Sequence, residues 1–277
     1  MSAIYAAMDA LLPFEWASYT FMKNALLAML LITPLFGVLG TMAVDNKMAF
    51  FSDALGHSAL TGIALGVVLG VSNQQASMLV FGIAWALLIT RIKQRNTASA
   101  DTIISVFSST SVALGLVILA RGGAFAKYSG YLVGDILAVT PQDLLALAVA
   151  LAGTLLVWAY VFNPLLLTSV NASLAGSRGV RARAVEYVFV VLVAVTVMLS
   201  IRWVGMLLIN SLLILPAAAS RNVAKNAAWY IRLSVAFALF SGVAGLLGSY
   251  YLNTSAGAAV VLVAAAIYFI TLPLRRK

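Results

Sequence analysis

Asp53 and His57 are the residues of this sequence whose types and spacing are best suited to chemistry. His57 is the only histidine, and Asp53 precedes it by four residues in the segment FSDALGHSAL, residues 51–60. Residues four apart share one face of a helix, so the carboxylate and the imidazole are expected to point the same way. Together these groups suit a borderline divalent cation such as zinc, manganese or iron. We therefore take Asp53 and His57 as candidate metal ligands.

The same pair has a second interpretation that the spacing leaves open. Asp53 and His57 would also serve as a hydrogen-bonded pair that stabilises helix packing, or Asp53 would belong to the cytoplasmic loop. If the helix begins near Met48, His57 lies about 13 Å along it, close to mid-depth of a hydrocarbon core of about 30 Å. Ionisable groups at that depth usually mark ion paths or substrate sites. Two ligands make a weak site, which suits a conduit that the ion must leave.

The composition shows what kind of element must position this pair. Hydrophobic residues make up 63% of the 277 residues and charged residues only 9%, with a mean hydropathy of +1.05. A soluble domain has roughly a quarter of its residues charged. The chain is therefore an all-α integral membrane protein, and its length predicts one transmembrane domain, residues 1–277, with no soluble domain beside it.

Apolar runs predict the spanning helices of this domain. They lie at about 18–40, 50–71, 75–90, 102–120, 142–162, 184–200, 203–220, 228–250 and 257–274. Most Lys and Arg residues fall at alternate connections, which places these connections in the cytoplasm, the N-terminus outside and the C-terminus inside. The net charge of +9 is thus explained by contact with anionic lipid, and no nucleic acid partner is expected. The bundle has nine crossings, or eight if the short final spans merge.

The region 121–141 does not read as a normal span. It contains Arg121, Lys127, Asp135, Pro141 and several glycines within a modestly apolar stretch. Irregular backbone is tolerated at membrane depth only where it is buried in protein or lines a cavity. We predict an outer loop with a short re-entrant or interfacial segment. Asp135 either faces an outer cavity or caps the following helix.

Enzymatic activity is not expected. The sequence has no cysteine, which removes thiolate metal sites and cysteine nucleophiles together. It also lacks the glycine-rich loop of P-loop ATPases and the second histidine that a helical zinc protease motif needs. No permanently bound cofactor is expected either.

Polar residues also occur in two other parts of the sequence. Asp101 and Glu186 lie at predicted cytoplasmic helix starts, where a negative charge favours the helix dipole, and we assign them no function. The stretch 171–180 is too polar to span and long enough for a short surface helix. It is either a protruding helix on which a cytoplasmic partner docks or a basic loop that lies on lipid headgroups.

Three segments in order resemble the membrane permease subunits of bacterial ABC importers for zinc, manganese, iron or their chelates. They are MAFFSDALGHSALTGIALG at 48–66, YLVGDILAVTPQD at 131–143, and VGMLLI at 204–209 continuing to LPAAA at 215–219. The sequence departs from the usual pattern at Ser52, where a glycine often precedes the aspartate, and at Gly56, where serine or alanine often precedes the histidine. Both substitutions keep the site small.

The resemblance implies an all-helical, homodimeric permease in a bacterial cytoplasmic membrane that imports a divalent metal by alternating access. Two copies of a separate ATP-binding subunit would drive it, and an extracytoplasmic metal-binding protein would deliver the ion. Asp53 and His57 would be transient metal ligands. The candidate contact with the ATPase is a short segment formed by Asn171, Ala172, Ser173, Leu174, Ala175, Gly176 and Gly179. An ion-coupled secondary transporter or a passive cation channel is the alternative, although the former usually has more intramembrane ionisable groups.

Overall fold

The computed structural model describes residues 2–11, 13–95, 98–123 and 125–274, with no description of the side chains of residues 2, 3, 11, 172 and 207. The basic tail at 275–277, which contributed to the predicted orientation, lies outside this part of the chain. The helices are α1 (Ser2–Leu11), α2 (Thr20–Asp45), α3 (Phe51–Val68), α4 (Gln74–Arg95), α5 (Ala100–Arg121), α6 (Phe125–Tyr128), α7 (Gly130–Val133), α8 (Pro141–Val170), α9 (Ala172–Ser177), α10 (Ala182–Val204), α11 (Met206–Val223), α12 (Ala227–Leu252) and α13 (Ala256–Thr271). Short 3₁₀ turns lie at Glu15–Ser18, Ile136–Ala138 and Leu272–Leu274.

The predicted all-α membrane bundle is confirmed for the described residues, which contain helices and no strand. Eight of these helices are long and apolar enough to cross a membrane, namely α2, α3, α4, α5, α8, α10, α12 and α13 with its 3₁₀ turn. The 18-residue α11 occupies the region of the seventh expected span and packs against α2, α3, α12 and α13. The connections that carry most of the Lys and Arg residues lie on one side of the membrane only if α11 also crosses it. The positions of these residues therefore favour nine crossings.

The centre of the bundle is formed by α2 and α3. In each of them, 72% of the apolar window is buried by the rest of the protein, compared with 28% in α4 and 17% in α13. A helix that is apolar all round belongs in a core rather than at a water-facing surface. The helices around this centre therefore expose their apolar sides to lipid, and α3 is held by α4, α5, α10 and α11.

Glycines allow neighbouring helices to approach α3 closely. A Cβ atom on Gly62 would lie 2.8 Å from the Met78 Cα of α4, and one on Gly66 would lie 2.5 Å from the Ser77 hydroxyl oxygen. Gly56 lies against α11. Gly70 differs from these glycines, because it follows the end of α3 at a φ of +69° and has open space around it.

Two helix predictions need correction. The predicted span 142–162 ends much later, because Pro164 lies inside α8 and the apolar residues after it continue the helix to Val170. No helix was expected before residue 18, whereas α1 forms there and contacts α2. The Tyr5 hydroxyl donates a 2.6 Å hydrogen bond to the Asn24 side-chain oxygen, and Lys23 pairs with Asp9.

The irregular segment predicted between 121 and 141 is present as a broken chain of short elements. It contains α6, α7 and one 3₁₀ turn, and it lies against the junction of α10 and α11. Gly134 and Gly205 both adopt positive φ angles, and a Cβ on Gly205 would lie 2.2 Å from the Val133 carbonyl oxygen. Only glycine permits this backbone contact. The segment is thereby fixed to the one-residue link between α10 and α11.

Candidate metal site

Asp53 and His57 lie on the one open side of an otherwise buried helix. Asp53 is in the first turn of α3 and His57 in the second, with side chains 36% and 23% exposed. Their neighbours Ser52, Ala54 and Gly56 are buried. Because α3 begins at Phe51, His57 lies about 9 Å from the start of the helix, which is shallower than the sequence analysis expected.

The distance between the two side chains fits two ligands of one metal ion. The His57 Nε2 and Asp53 Oδ2 atoms lie 3.6 Å apart, beyond normal hydrogen-bond distance. Two ligand atoms at about 2.1 Å from a tetrahedral zinc ion lie about 3.4 Å from each other. Within the described residues no group of three or more His, Cys, Asp or Glu side chains is close enough to hold a metal. Among the described residues, Asp53 and His57 therefore form a pair of candidate ligands with no third such side chain beside them.

The orientation of this pair is set by the contact of α3 with α11. The Ser52 hydroxyl donates a 2.5 Å hydrogen bond to the Asn210 side-chain oxygen. One turn later, a Cβ on Gly56 would meet the Met206 carbonyl oxygen at 3.0 Å. Ser52 and Gly56 thus face α11, and the next residue after each, Asp53 and His57, is directed to the open side. The two departures from the family pattern noted in the sequence are the residues that make this helix contact.

Asn210 was missed by the sequence analysis. It is a half-buried amide in an apolar helix, a setting in which a polar side chain usually bonds to a neighbouring helix. That signal was present in the sequence, but the partner Ser52 is 158 residues away. Sequence separation of this size hides the pairing until the helices are placed side by side.

The polar residues of the outer segment have structural roles that differ from those expected. Asp135 caps its own 3₁₀ turn, because its Oδ1 accepts a 3.1 Å hydrogen bond from the Leu137 N–H. It does not cap α8, where Thr140 and Asp143 form a reciprocal capping box. Asp143 also lies 3.9 Å from the Arg202 guanidinium of α10. The structure therefore does not bring Asp135 to the Asp53 and His57 pair.

The stretch 171–180, predicted to be cytoplasmic, contains the short helix α9 that the sequence predicted. Asn171 caps α9 by accepting a 3.0 Å hydrogen bond from the Leu174 N–H. With 30 residues, α8 is roughly 45 Å long, well beyond a hydrocarbon core of about 30 Å. Its last turns thus carry α9 away from the membrane. There Leu174 is 45% exposed and Ala175 is buried.

Glu186 differs from its predicted setting at a helix start. The first turn of α10 contains no acidic residue, since the helix begins at Ala182. The Glu186 carboxylate instead binds Lys93 and Gln94 of α4. Asp101 does lie in the first turn of its helix, α5, as predicted.

Comparison with known proteins decides the class of this bundle. The chain matches the family described as "ABC 3 transport family" over residues 18–275. It belongs to the ABC 3 transport family. This membership confirms the resemblance seen in the sequence, and it decides against the secondary transporter and the passive channel.

Relatives of this ABC 3 permease match along nearly their whole length. The chain is 31% identical over 254 residues to the high-affinity zinc uptake system membrane protein ZnuB of Haemophilus influenzae, covering 91% of this chain and 97% of that protein. It is 32% identical over 262 residues to the manganese import system permease protein ScaB of Streptococcus parasanguinis, covering 94% and 93%. Among solved structures, PsaBC from Streptococcus pneumoniae in complex with Fab matches with a TM-score of 0.80 and 31% identity, covering 98% of this chain and 95% of that chain.

The ABC 3 permease is therefore a multi-pass membrane subunit of a bacterial uptake system and has no catalytic domain of its own. The chain is thus one component of an ABC transport system, which implies an ATPase partner.

Proposed function

We propose that this ABC 3 permease imports zinc or manganese. Asp53 and His57 bind the ion transiently as it passes, together with water molecules. The observation that carries the proposal is the 3.6 Å separation of a carboxylate oxygen and an imidazole nitrogen on the open side of α3. The relatives are named for zinc uptake and for manganese import, which favours these two metals over iron. The metal is the transported substrate, and no resident cofactor is required.

A second copy of the chain would complete the site. One copy provides two protein ligands, whereas zinc prefers four. A homodimer with its two-fold axis beside the open side of α3 would bring two such pairs together. The resulting set of two carboxylates and two imidazoles would still release the ion when the dimer rearranges, which a conduit needs.

The remaining partners follow from the same proposal. Two copies of an ATP-binding subunit would dock on α9, whose exposed Leu174 offers an apolar contact on the cytoplasmic side. An extracytoplasmic metal-binding protein would deliver the ion at the outer face. Alternating access requires helices that bend, and Pro34 in α2 and Pro216 in α11 each remove one backbone donor inside a spanning helix.

Uptake of radioactive zinc and manganese by cells that depend on this system tests the proposal. We expect His57→Ala and Asp53→Ala to abolish most uptake while the amount of the ATPase bound to the permease stays at the parental value. The matched control is Asp101→Ala, which removes an exposed carboxylate from the first turn of another spanning helix. Parental uptake by both site variants at equal expression would return Asp53 and His57 to a helix-packing role.

A further inference from the structure

One carboxylate joins α4 to α10 at the end of the bundle that faces the ATPase. The Lys93 ammonium lies 2.5 Å from the Glu186 Oε1 atom, and the Gln94 amide donates a 2.8 Å hydrogen bond to Oε2. Both carboxylate oxygens are thus used by two adjacent residues of the neighbouring helix. The side chains of Lys93 and Glu186 are only 19% and 23% exposed, so the pair is shielded from water more than an ordinary surface ion pair.

The two helices stay together beyond this point. A Cβ on Gly82 of α4 would meet the Met198 side chain of α10 at 2.5 Å, eleven residues before Lys93 and twelve after Glu186. The helices therefore run antiparallel with close contact over about three turns. The Glu186 carboxylate contacts at one end and the Gly82 contact further along thus hold α4 and α10 together as one packed unit.

This unit also holds the helix that carries the candidate metal ligands. The Met78 Cα and the Phe81 side chain of α4 also pack against Gly62 of α3. Contacts of α10 with α3 add to this packing. A shift of the pair formed by α4 and α10 is therefore transmitted to α3, which bears Asp53 and His57.

At the end that carries Glu186, α10 is joined directly to α9. The connection is short and internally bonded, since the Ala175 carbonyl accepts hydrogen bonds from Arg178 N at 3.2 Å and from Val180 N at 3.0 Å. Only four residues, 178–181, separate α9 from α10. Because the connection is short and internally bonded, a displacement of α9 also displaces the start of α10, which lies one turn before Glu186.

We propose that Glu186 is a positioning residue for transport, because it fixes α4 to α10 so that a displacement of α9 by the ATPase reaches α3. The inference rests on the proposed function, in which α9 contacts the ATPase and α3 carries the ion. The inference adds one specific contact, between Glu186 and α4, that couples α9 to α3. Without the Glu186 carboxylate, α10 would move against α4, and ATP would be hydrolysed without moving metal.

The competing explanation is that the ion pair only stabilises the fold. Replacing the glutamate by glutamine keeps the size and the hydrogen bond to Gln94 but leaves Lys93 without its counter-ion. The aliphatic stem of a lysine lets the ammonium turn toward water at a helix end, so the variant is expected to fold. Stability and coupling are separable for this reason, and both must be measured.

The experiment uses the permease purified with its own ATPase subunit and reconstituted in liposomes, with ATP hydrolysis and radiometal uptake measured on the same vesicles. For Glu186→Gln and for Lys93→Met we expect the ratio of ATP hydrolysed to metal transported to rise by roughly two- to thirtyfold, the range usual for coupling mutations. The double variant should show no further rise, because both changes remove one interaction. The charge swap Lys93→Glu with Glu186→Lys should bring the ratio back toward that of the parent.

Arg91→Gln is the matched control, since it removes a cation from an exposed position at the same end of α4. A parental ratio in Glu186→Gln, or a proportional fall of hydrolysis and uptake together with a lower melting temperature, would overturn the proposal and leave a structural ion pair. Failure of the proposed function has a different signature, since the parent itself would then carry no zinc or manganese, or would carry it without need of His57.

Discussion

Ser52 and Asn210 join the first turn of α3 to the second turn of α11 through a single 2.5 Å hydrogen bond between side chains. Ser52 directly precedes Asp53. The bond therefore fixes the rotation of α3 at the residue next to the candidate carboxylate ligand. A change on α11 can in this way alter the metal site without touching the metal.

We expect Asn210→Ala to raise the KM for metal uptake more than it lowers the maximal rate. The substitution leaves the Ser52 hydroxyl without its partner, at a cost of about 1 kcal/mol in the free energy of unfolding, and it loosens the start of α3. Uptake rates over a range of metal concentrations give both constants. Ser211→Ala, at the next position of α11, serves as the control, and an unchanged KM in Asn210→Ala would refute the link.

The packing of α2 against α11 predicts the effect of Gly40→Ala. A Cβ at this position would lie 2.0 Å from the Leu213 carbonyl oxygen, so the helices must separate. We expect the melting temperature of the purified permease to fall by several degrees, since overpacking costs about 1–3 kcal/mol. Gly153→Ala in α8 is the control, because no atom lies within 4 Å of the added Cβ. An equal effect of both substitutions would contradict the close contact.

The link between α10 and α11 allows backbone strain to be separated from crowding. Gly205 and Gly179 both have positive φ angles, +87° and +76°. Only Gly205 is crowded, with the Val133 carbonyl oxygen 2.2 Å from an added Cβ. Gly179→Ala should cost about 1 kcal/mol from strain alone, whereas Gly205→Ala should cost several times more or prevent assembly. Thermal unfolding of both variants, followed by fluorescence, measures the difference.

The proposed ATPase contact of α9 predicts a selective loss of the partner. Leu174→Asp places a charge on the exposed apolar residue of this helix, and we expect much less ATPase subunit to co-purify with a permease of normal melting temperature. The control is Leu252→Asp, at the opposite end of the bundle, where the leucine is 72% exposed. Equal recovery of the ATPase with both variants would remove α9 from the interface.

Most of the fold could be predicted from the sequence, because apolar runs and the positions of basic residues report directly on burial in lipid. The end of α8 could not. Pro164 usually ends a helix, but a proline in a bundle is tolerated where neighbouring groups bond the freed carbonyl. Pro164 lacks the N–H that would bond the Tyr160 carbonyl, yet α8 continues to Val170 with Leu165 buried directly after the proline.

Of the candidate site, the sequence predicted the residue pair but not its surroundings. The spacing of four was sufficient to place Asp53 and His57 on one face of α3. The roles of Asn210 and Glu186 depend on partners more than ninety residues away, Ser52 and Lys93. A contact of this kind is set by how whole helices pack, and no local pattern encodes it.

The burial of α3 on almost every side limits how the preference for a metal can change. Its small residues meet four other helices, so enlarging any of them strains the bundle before it adjusts the site. A laboratory selection for uptake of a different cation should therefore accept few substitutions within α3 itself. The selected substitutions are expected to cluster on α11 around Asn210. Changes there can rotate the candidate site without changing the size of any residue in α3, which bears Asp53 and His57.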